Sequence, residues 1–342
     1  MGETYAGSGV DLEAGDEAVA RIKETVRSTH RPEVLGDLGG FGGLFALPEG
    51  YRRPVLVGST DGVGTKCVVA RQVGRFDTLG IDLVAMCVDD LVCLGAEPLF
   101  VLDYIATGQV EPARVADLVA GVAEGCRQAG CTLLGGETAE HPGAMGPDDF
   151  DVVGSAVGVV ERDRIVTGER ISPGDVVLGL ESPGLRSNGY SLVRRVLLER
   201  AGRSLDDPAY DGAPTTLGEE LLRPSVIYAP AVVDLLGHAD VRGVAHVTGG
   251  GLPGNVSRIL PESTDAVIDR STWEMPRIFS EVKHAGDVAD DEMARVFNLG
   301  IGMVVVVPEP DAGQAMERLE AHGHRARAIG EIRGGDGSVT LT

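Results

Sequence analysis

The chain has 342 residues, enough for two domains with cores of their own, and its hydrophobic content of 43% is typical of a globular protein. A formal net charge of −22, with no long basic stretch, argues against nucleic acid and anionic membranes as partners. Five cysteines without a C-x-x-C pair indicate a reducing compartment, and no apolar run approaches membrane-spanning length. The composition therefore predicts a cytoplasmic α/β protein.

The first predicted element is a helix over residues 16–30, whose apolar residues share one face. Residues 1–13 are too polar and too rich in glycine to predict an ordered element. The stretch GDLGGFGG at 36–43 contains too much glycine to pack as a helix or a strand. It is either a mobile linker or a flap over a ligand, and its composition does not choose between the two.

The most informative stretch is PVLVGSTDGVGTK at 54–66, which matches neither a P-loop nor a dinucleotide fingerprint. Its apolar beginning predicts a strand over 54–58, and residues 59–66 predict a glycine loop. Gly62 and Gly64 let the backbone approach an anion closely, because no Cβ stands in the way. The local sequence alone is equally compatible with a plain turn between a strand and a helix.

Three side chains of this predicted loop suggest what it binds. Lys66 adds a positive charge and Thr65 a hydroxyl, and both suit a phosphate. Asp61 would repel a phosphate unless a cation lay between them. The loop therefore predicts a site for a phosphate together with a metal ion.

Residues 77–94 predict a helix that is apolar nearly all round and hence buried, yet it carries three carboxylates in its interior. Asp82 is expected near the helix start or at the surface, where water would solvate it. Asp89 and Asp90 are flanked by apolar residues. Since a buried carboxylate without a partner is costly, we expect these two to face a bound cation.

A second unit of strands and a glycine loop follows. Strands are predicted over 98–105, 131–134 and 152–160, and a helix over 111–129. The strand ending at 134 opens into GGETAEHPG at 135–143, which again places a carboxylate, Glu137, after two glycines. Together these elements predict the α/β or α+β class with a mixed sheet.

A polar seam with Gly and Pro at 167–175 predicts a boundary between an N-terminal domain, 1–170, and a C-terminal domain, 171–342. The second domain is again predicted to alternate strands and helices. It begins with a strand over 176–180 and includes a helix over 226–236.

Two polar segments of the second domain are candidates for binding. SNG at 187–189 leads into a predicted helix over 190–200. TGGG at 248–251 follows a predicted strand and precedes a helix that starts at Pro253 or Asn255. A glycine run before a helix N-terminus can bind an anion, and it can equally be a tight packing turn.

Ten stretches, taken in order, resemble one family of enzymes. They are YAGSGVD (5–11), RPEVLGDLGGFGG (31–43), GSTDGVGTK (58–66), GIDLVAMCVDDL (80–91), GAEPLF (95–100), DYIATG (103–108), GGETAEHPG (135–143), SNGYSLVR (187–194), AHVTGGG (245–251) and FNLGIGM (297–303). Each glycine loop is a weak signal alone, but the ordered set covers essentially the whole chain and is specific. The sequence resembles the phosphoribosylformylglycinamidine cyclo-ligases, or aminoimidazole ribonucleotide (AIR) synthetases, of purine biosynthesis.

The resemblance implies a two-domain AIR-synthetase-like α/β (α+β) fold, with an N-terminal mixed-sheet domain that pairs in a homodimer and a C-terminal α/β domain. It implies ATP and Mg²⁺, with K⁺ as a further candidate ion, and formylglycinamidine ribonucleotide as the substrate. Asp61, Asp90 and Glu137 match the family's acidic positions at the metal, and we expect them to act in catalysis with Lys66. The residues expected at the nucleotide are Lys23, Gly39, Gly40, Gly42, Gly43, Gly62, Gly64 and Thr65. Those expected on the substrate side are Ser187, Asn188, Gly249, Gly250 and Gly251.

In the implied reaction ATP phosphorylates the formyl amide oxygen. The ribose-bearing amidine nitrogen then attacks the formyl carbon, and phosphate leaves as the imidazole closes. Three residues depart from the commonest family pattern, and one of them is His141, which stands where Met is frequent. Asp89 stands where Asn is usual, and its added charge is expected to alter the preference for the metal. Arg186 stands where His is frequent, so a histidine acid or base at that position cannot be essential here.

The nearest alternative is another ATP-using member of the same fold group, such as a selenophosphate synthetase or a small-molecule kinase. Selenophosphate synthetase would need a reactive Cys near the N-terminus, whereas the first cysteine here is Cys67. A non-catalytic nucleotide-binding relative is a further alternative. Such a protein would be expected to lack some acidic residues, and none of Asp61, Asp90 and Glu137 is missing.

Overall fold

Two β-sheets, each with helices packed on it, organise the computed structural model, which describes residues 9–342. The mixed α/β class predicted from the sequence is confirmed. The beginning of the YAGSGVD stretch, at 5–8, lies outside the described residues.

The first half of the chain forms a four-stranded sheet. Its helices are α1 (Leu12–Arg27), α2 (Lys66–Val73), α3 (Asp77–Cys93) and α4 (Pro112–Ala129). Its strands are β1 (Val34–Leu35), β2 (Leu44–Phe45), β3 (Pro54–Gly62), β4 (Glu97–Thr107), β5 (Thr132–Glu140) and β6 (Phe150–Glu161). The sheet order is β3–β6–β4–β5, with β4 and β5 parallel and the other neighbours antiparallel. Among the described residues, β1 and β2 form a separate two-stranded sheet.

The second half forms a six-stranded sheet in the order β12–β9–β11–β7–β10–β8, antiparallel except for the parallel pair β12–β9. Its strands are β7 (Asp175–Glu181), β8 (Gly243–His246), β9 (Thr264–Ile268), β10 (Ile301–Pro308), β11 (Ala326–Gly334) and β12 (Val339–Leu341). Its α-helices are α5 (Tyr190–Val193), α6 (Leu217–Leu221), α7 (Ala229–Leu236), α8 (Gly251–Val256), α9 (Arg277–Gly286), α10 (Asp290–Val296) and α11 (Ala312–Ala321). None of the helices in residues 9–342 combines the length and the apolar character needed to cross a bilayer.

The first helix begins earlier than predicted. Asp11 caps it, because Asp11 Oδ1 accepts a hydrogen bond from the backbone nitrogen of Ala14 at 3.1 Å, and the helix starts at Leu12. The prediction of no ordered element up to residue 13 is therefore wrong at its C-terminal end. The helix also ends earlier than predicted, at Arg27.

Two predicted glycine loops are largely strand. β3 continues to Gly62 because it pairs with β6 along its whole length, with Gly62 opposite Val153. β5 continues to Glu140 because it pairs in parallel with β4, which sets Glu137 opposite Tyr104. Asp61 and Glu137 consequently lie on hydrogen-bonded strands, and only residues 63–65 form a turn before α2.

α3 is the central helix of the molecule, and its predicted burial is confirmed. The four-stranded sheet and α4 cover one side of it, and β8 and α7 of the second half cover the other. Where α3 crosses α4 the two backbones touch, since a Cβ added at Gly80 would lie 2.0 Å from the backbone nitrogen of Val122. The carboxylates of α3 therefore meet other protein groups.

Candidate active site

The three carboxylates predicted to hold one metal ion are not gathered within one chain. Asp61 lies on edge strand β3 and faces α3, on what we call the inner face of the sheet. Glu137 lies on the opposite edge strand, beside the partly exposed Tyr104 on the outer face. Neighbouring strands are about 4.8 Å apart, so the whole sheet separates the two residues. Within residues 9–342 no group of three His, Cys, Asp or Glu side chains could hold a metal ion, so the predicted triad does not form within one chain.

Asp82 pairs with Lys66 in the protein interior. Lys66 Nζ is 2.6 Å from Asp82 Oδ2, and both side chains are fully buried. Lys66 also donates to the backbone carbonyls of Arg186 and Arg223, while Asp82 accepts from the backbone nitrogen and hydroxyl of Ser225. The prediction that Asp82 is exposed is wrong. The prediction that Lys66 contacts phosphate also needs correction, because burial lowers the pKa of this amine and protein oxygens enclose it.

Asp89 binds a cation, as its burial requires, but that cation is a side chain. Asp89 Oδ2 accepts a hydrogen bond from Arg186 Nη2 at 2.9 Å. Asp89 Oδ1 accepts from the backbone nitrogens of Tyr228 and Ala229, at the start of α7. Burial raises the pKa of Asp89, and the charge of Arg186 acts in the opposite direction. A guanidinium therefore stands where we expected a metal ion, and the expected effect of Asp89 on metal preference loses its basis.

Asp90, unlike its neighbour Asp89, reaches open space. Its Oδ1 is 2.9 Å from His246 Nδ1, its Oδ2 accepts from Ser59 Oγ at 3.3 Å, and the side chain is 46% exposed. Burial opposes ionisation of Asp90, but the hydrogen bonds from His246 and Ser59 outweigh it and hold the pKa below its usual value. Asp90 is thus a charged group in the wall of a cavity of about 300 Å³ that Arg258 also lines.

Asp61 and Asp90 are near enough for their charges to interact, and together they suit a hard cation. Burial is the main reason why the pKa of Asp61 is raised, and the charge of Asp90 raises it further. A divalent cation beside both would remove this repulsion. Mg²⁺ is usually held by one or two carboxylates, with water and phosphate oxygens as the other ligands, so the pair fits Mg²⁺ without Glu137.

The turn after β3 faces the segments predicted on the substrate side. A Cβ added at Gly64 would lie 4.0 Å from the carbonyl oxygen of Ser187, and the Thr65 hydroxyl is 3.1 Å from a hydroxyl of α5. Asn188 lies beside Gly249, where an added Cβ would be 3.8 Å from Asn188 Nδ2. We call the space between this turn and the second half of the chain the central cleft.

The remaining glycines of this region are explained by backbone packing. Gly251 has φ +60°, and an added Cβ would lie 1.8 Å from the carbonyl oxygen of Ala294. Gly250 has φ +101°, which side chains with a Cβ rarely adopt. Gly62 lies opposite β6, with 3.3 Å between an added Cβ and the Val152 oxygen. The helix after the glycine run begins at Gly251, earlier than predicted, and has only six residues, so the packing turn is the better supported alternative.

The other predicted nucleotide residues line a second space, at the far edge of the sheet. A cavity of about 560 Å³ lies between α1, residues 37–43 and the end of β5 with Glu137; we call it the edge cavity. Its wall includes Gly39, Gly40, Gly42 and Gly43. Lys23, on α1, is half-exposed with its Nζ 3.9 Å from Asp37 Oδ2. The predicted ATP residues are thus divided between the edge cavity and the central cleft.

Asp103 is a carboxyl group of the edge cavity that the sequence analysis does not single out. It lies on the inner face of β4, is 9% exposed, and its Oδ2 has no hydrogen-bond partner within residues 9–342. Gly136 on β5 leaves room for it, since an added Cβ there would lie 1.6 Å from Asp103 Oδ1. Burial raises the pKa of Asp103 to about 7.

We expect the Asp103→Asn variant to become progressively more stable, relative to the unchanged chain, between about pH 5 and about pH 7. The pKa of Asp103 is about 7 in the fold, against 3.8 in an unfolded chain. Between about pH 5 and about pH 7 the folded state keeps a proton that the unfolded state has lost, so the stability of the unchanged chain falls as the pH rises and levels off above about pH 7. One pKa unit is worth about 1.4 kcal/mol, so these two pH units give a change of about 3 kcal/mol. Denaturant unfolding of both proteins across this pH range measures the change in relative stability. A difference in stability that stays constant with pH would contradict the prediction.

The sequence also does not predict that His246 and Ser59 belong to the site. His246 belongs to the AHVTGGG stretch, but nothing local indicates that its ring meets Asp90, 156 residues earlier. That contact depends on how β8 packs against α3. Ser59 falls in the segment predicted as loop, and only its position on a strand shows that its hydroxyl points at α3.

Comparisons with known proteins define the class. Two family models match: AIR synthase related protein, N-terminal domain, over residues 50–160, and the corresponding C-terminal domain over residues 172–341. Thiamine-monophosphate kinase from Stenotrophomonas maltophilia K279a has a TM-score of 0.70 at 17% identity, over 94% of this chain and 95% of that chain. Hydrogenase maturation protein HypE in complex with ATP has a TM-score of 0.66 at 19% identity, over 96% and 90%. These structures show the fold, which is the two-domain fold of AIR synthase related proteins.

Sequence relatives define the family within that class. The phosphoribosylformylglycinamidine cyclo-ligase of Anaeromyxobacter sp. (strain Fw109-5) is 53% identical over 342 residues, covering 99% of this chain and 98% of the relative. That of Citrifermentans bemidjiense is 52% identical over 330 residues, covering 96% and 94%. The chain belongs to the phosphoribosylformylglycinamidine cyclo-ligase family, a family of ligases, which confirms the resemblance noted in the sequence.

Proposed function

We propose that this protein catalyses the ATP-dependent closure of formylglycinamidine ribonucleotide to 5-aminoimidazole ribonucleotide, a step of purine biosynthesis. The observation that carries the proposal is 53% identity with a cyclo-ligase over 99% of the chain. A structural neighbour described in complex with ATP supports ATP as the co-substrate.

In the proposed reaction the formyl amide oxygen takes the terminal phosphoryl group of ATP, which makes that oxygen a good leaving group. The ribose-bearing amidine nitrogen then attacks the formyl carbon, the ring closes with loss of a proton, and phosphate and ADP leave. Asp61 and Asp90 would hold Mg²⁺, which neutralises phosphate charge when bound. Direct transfer from ATP requires no protein nucleophile, so catalysis rests on positioning and electrostatics.

A direct assay tests the activity. The protein is incubated with ATP, Mg²⁺ and formylglycinamidine ribonucleotide, and formation of aminoimidazole ribonucleotide is followed beside release of ADP. We expect one ADP per ring closed. Release of ADP without the imidazole product would contradict the proposed function.

The route of the phosphoryl group gives a second prediction. Direct transfer from ATP means that the formyl oxygen leaves the substrate bonded to phosphorus. Substrate labelled with ¹⁸O in the formyl group should therefore yield labelled inorganic phosphate and unlabelled ADP, as measured by mass spectrometry. Label released to water would contradict this route, and a phosphorylated enzyme formed without substrate would indicate a covalent one.

We propose further that the protein works as a homodimer formed through the outer face of the four-stranded sheet. That face exposes apolar side chains, including Leu56 at 63%, Leu102 and Tyr104, which pairing would remove from water. A two-fold axis along the strands would place β5 of one protomer opposite β3 of its partner. In this arrangement ATP extends from the edge cavity of one protomer to the central cleft of the other, around the free edge of β3.

A subunit-mixing experiment tests this arrangement. The Asp61→Asn and Glu137→Gln variants are co-expressed with different tags. About half of the dimers are then mixed, each with one intact site of two, so we expect about a quarter of the unmutated activity, well above either variant alone. Mixing Asp61→Asn with Asp90→Asn is the matched control, which should recover nothing because both residues belong to the same site half. Failure of the first mixture to recover activity, or a monomer mass by light scattering, would contradict the proposal.

A further inference from the structure

A chain of hydrogen bonds links Arg186 and Asp89 to the Asp90 carboxylate. Arg186 Nη2 donates to Asp89 Oδ2 at 2.9 Å and is also 2.9 Å from His246 Nε2. His246 Nδ1 is in turn 2.9 Å from Asp90 Oδ1. Arg186, Asp89 and His246 are each at most 2% exposed at their side chains, so water does not compete for these bonds.

The donors in this chain fix the state of the imidazole ring. A guanidinium has only N–H donors, so His246 Nε2 must accept from Arg186. An imidazole whose Nε2 accepts carries its proton on Nδ1, and that proton points at Asp90. We propose that Arg186 is a positioning residue: it holds His246 as the Nδ1–H tautomer, which in turn holds the Asp90 carboxylate in its place near Asp61.

The backbone of Arg186 indicates that this placement is held against a local preference. Its φ is +61°, in the left-handed region that residues with a Cβ seldom adopt. The guanidinium is nevertheless anchored by the carbonyl oxygen of Val226 at 2.8 Å and by the ring of Tyr228, whose centroid is 5.1 Å away. The side chain of Arg186 thus extends into the boundary between the two halves, and its guanidinium contacts His246.

The charges of Asp89 and Arg186 also balance each other. Asp89 is a carboxylate, and Arg186 carries a group that is always positive. Because the two side chains bond to each other, their charges cancel inside the protein. Asp89 and Asp90 belong to α3, whereas Arg186 and His246 belong to the second half, so the position of Asp90 depends on how the halves are seated.

The test combines ¹⁵N NMR of histidine-labelled protein with steady-state kinetics. His246 is assigned among the seven histidines by comparison with a His246→Asn variant. In the unchanged chain we expect the Nδ1–H tautomer. In Arg186→Leu we expect a shift towards Nε2–H, and the KM for Mg-ATP to rise by about 10- to 100-fold, the usual effect of losing a residue that orients a metal ligand. The KM for formylglycinamidine ribonucleotide should change by less than about twofold.

The Asp89→Asn/Arg186→His variant keeps the test decisive if Arg186→Leu does not fold, because it removes both charges together. We expect it to be more active than either single substitution. Arg242→Leu is the matched control, since Arg242 pairs with the buried Asp175 within the second half, away from the cleft, and should change stability only. An unchanged His246 tautomer in Arg186→Leu, or no recovery in the double variant, would overturn the proposal. The inference rests on the proposed function. The tautomer of His246 is nevertheless measured without turnover, so failure of the proposed function and failure of the inference about Arg186 can be told apart.

Discussion

Replacing Asp61 by Asn should lower turnover by at least about a hundredfold while leaving the fold intact. In the unchanged chain the backbone nitrogen of Gly62 donates to Asp61 Oδ1 at 2.7 Å. Asn keeps the shape of the side chain and this acceptor oxygen but removes the negative charge. The carboxylates of Asp61 and Asp90 are the groups placed to share a cation beside the phosphates. With one of them neutral, the developing charge of phosphoryl transfer is less well balanced, and the requirement for Mg²⁺ should shift to higher concentration.

Steady-state rates at several Mg²⁺ concentrations, with circular dichroism to check the fold, measure this effect. The matched control is Asp291→Asn on α10, because Asp291 makes the same bond to the next backbone nitrogen, at 2.9 Å, on an exposed surface. That variant should be fully active. Near-normal turnover of Asp61→Asn with an unchanged Mg²⁺ dependence would remove Asp61 from the site.

Replacing Lys66 by Met should lower the free energy of unfolding by about 3–5 kcal/mol, the usual result of leaving one partner of a buried ion pair uncompensated. Asp82 would keep only its hydrogen bonds from Ser225, in a site that is buried from solvent. The carbonyls of Arg186 and Arg223 would lose their donor as well. Denaturant unfolding measures the loss.

Two further variants separate the buried pair from a general effect of charge. Arg127→Met on α4 removes one partner of the exposed Arg127–Glu124 pair and should cost at most about 1 kcal/mol. Lys66→Met/Asp82→Leu removes both buried charges and should recover much of the stability. A Lys66→Met protein as stable as the unchanged chain but inactive would instead place this amine at the phosphate, as the sequence alone suggested.

The fold class and the family could be predicted because they depend on local patterns. The apolar run of α3 and the ordered glycine motifs are visible in the sequence itself, and both are confirmed. Strand ends are different, because β3 and β5 extend through their glycines only where a neighbouring strand offers hydrogen bonds. The domain boundary after residue 170, the cytoplasmic location and the need for K⁺ stay predictions.

The need for partners at buried carboxylates could be predicted, but not the partners themselves. Burial of Asp89 requires a positive group, and nothing in the neighbouring sequence shows that a distant side chain supplies it instead of a metal ion. The positive group is the guanidinium of Arg186, 97 residues later in the chain. Likewise, the acidic residues Asp61 and Glu137 look equivalent in the sequence, and only the register of the sheet puts them on opposite faces.

The carboxylates of α3 also bear on how the chain is made. During synthesis α3 emerges well before its partners, since Asp89 waits for Tyr228 and Ala229, 139 and 140 residues further on. At typical rates of about 5–20 residues per second, that interval lasts roughly 7–28 s. During this interval α3, which is largely apolar, exposes hydrated charges on the side that the second half will later cover. We expect those charges to keep the nascent first half soluble, so that the same residues that join the finished halves protect the unfinished chain from aggregation.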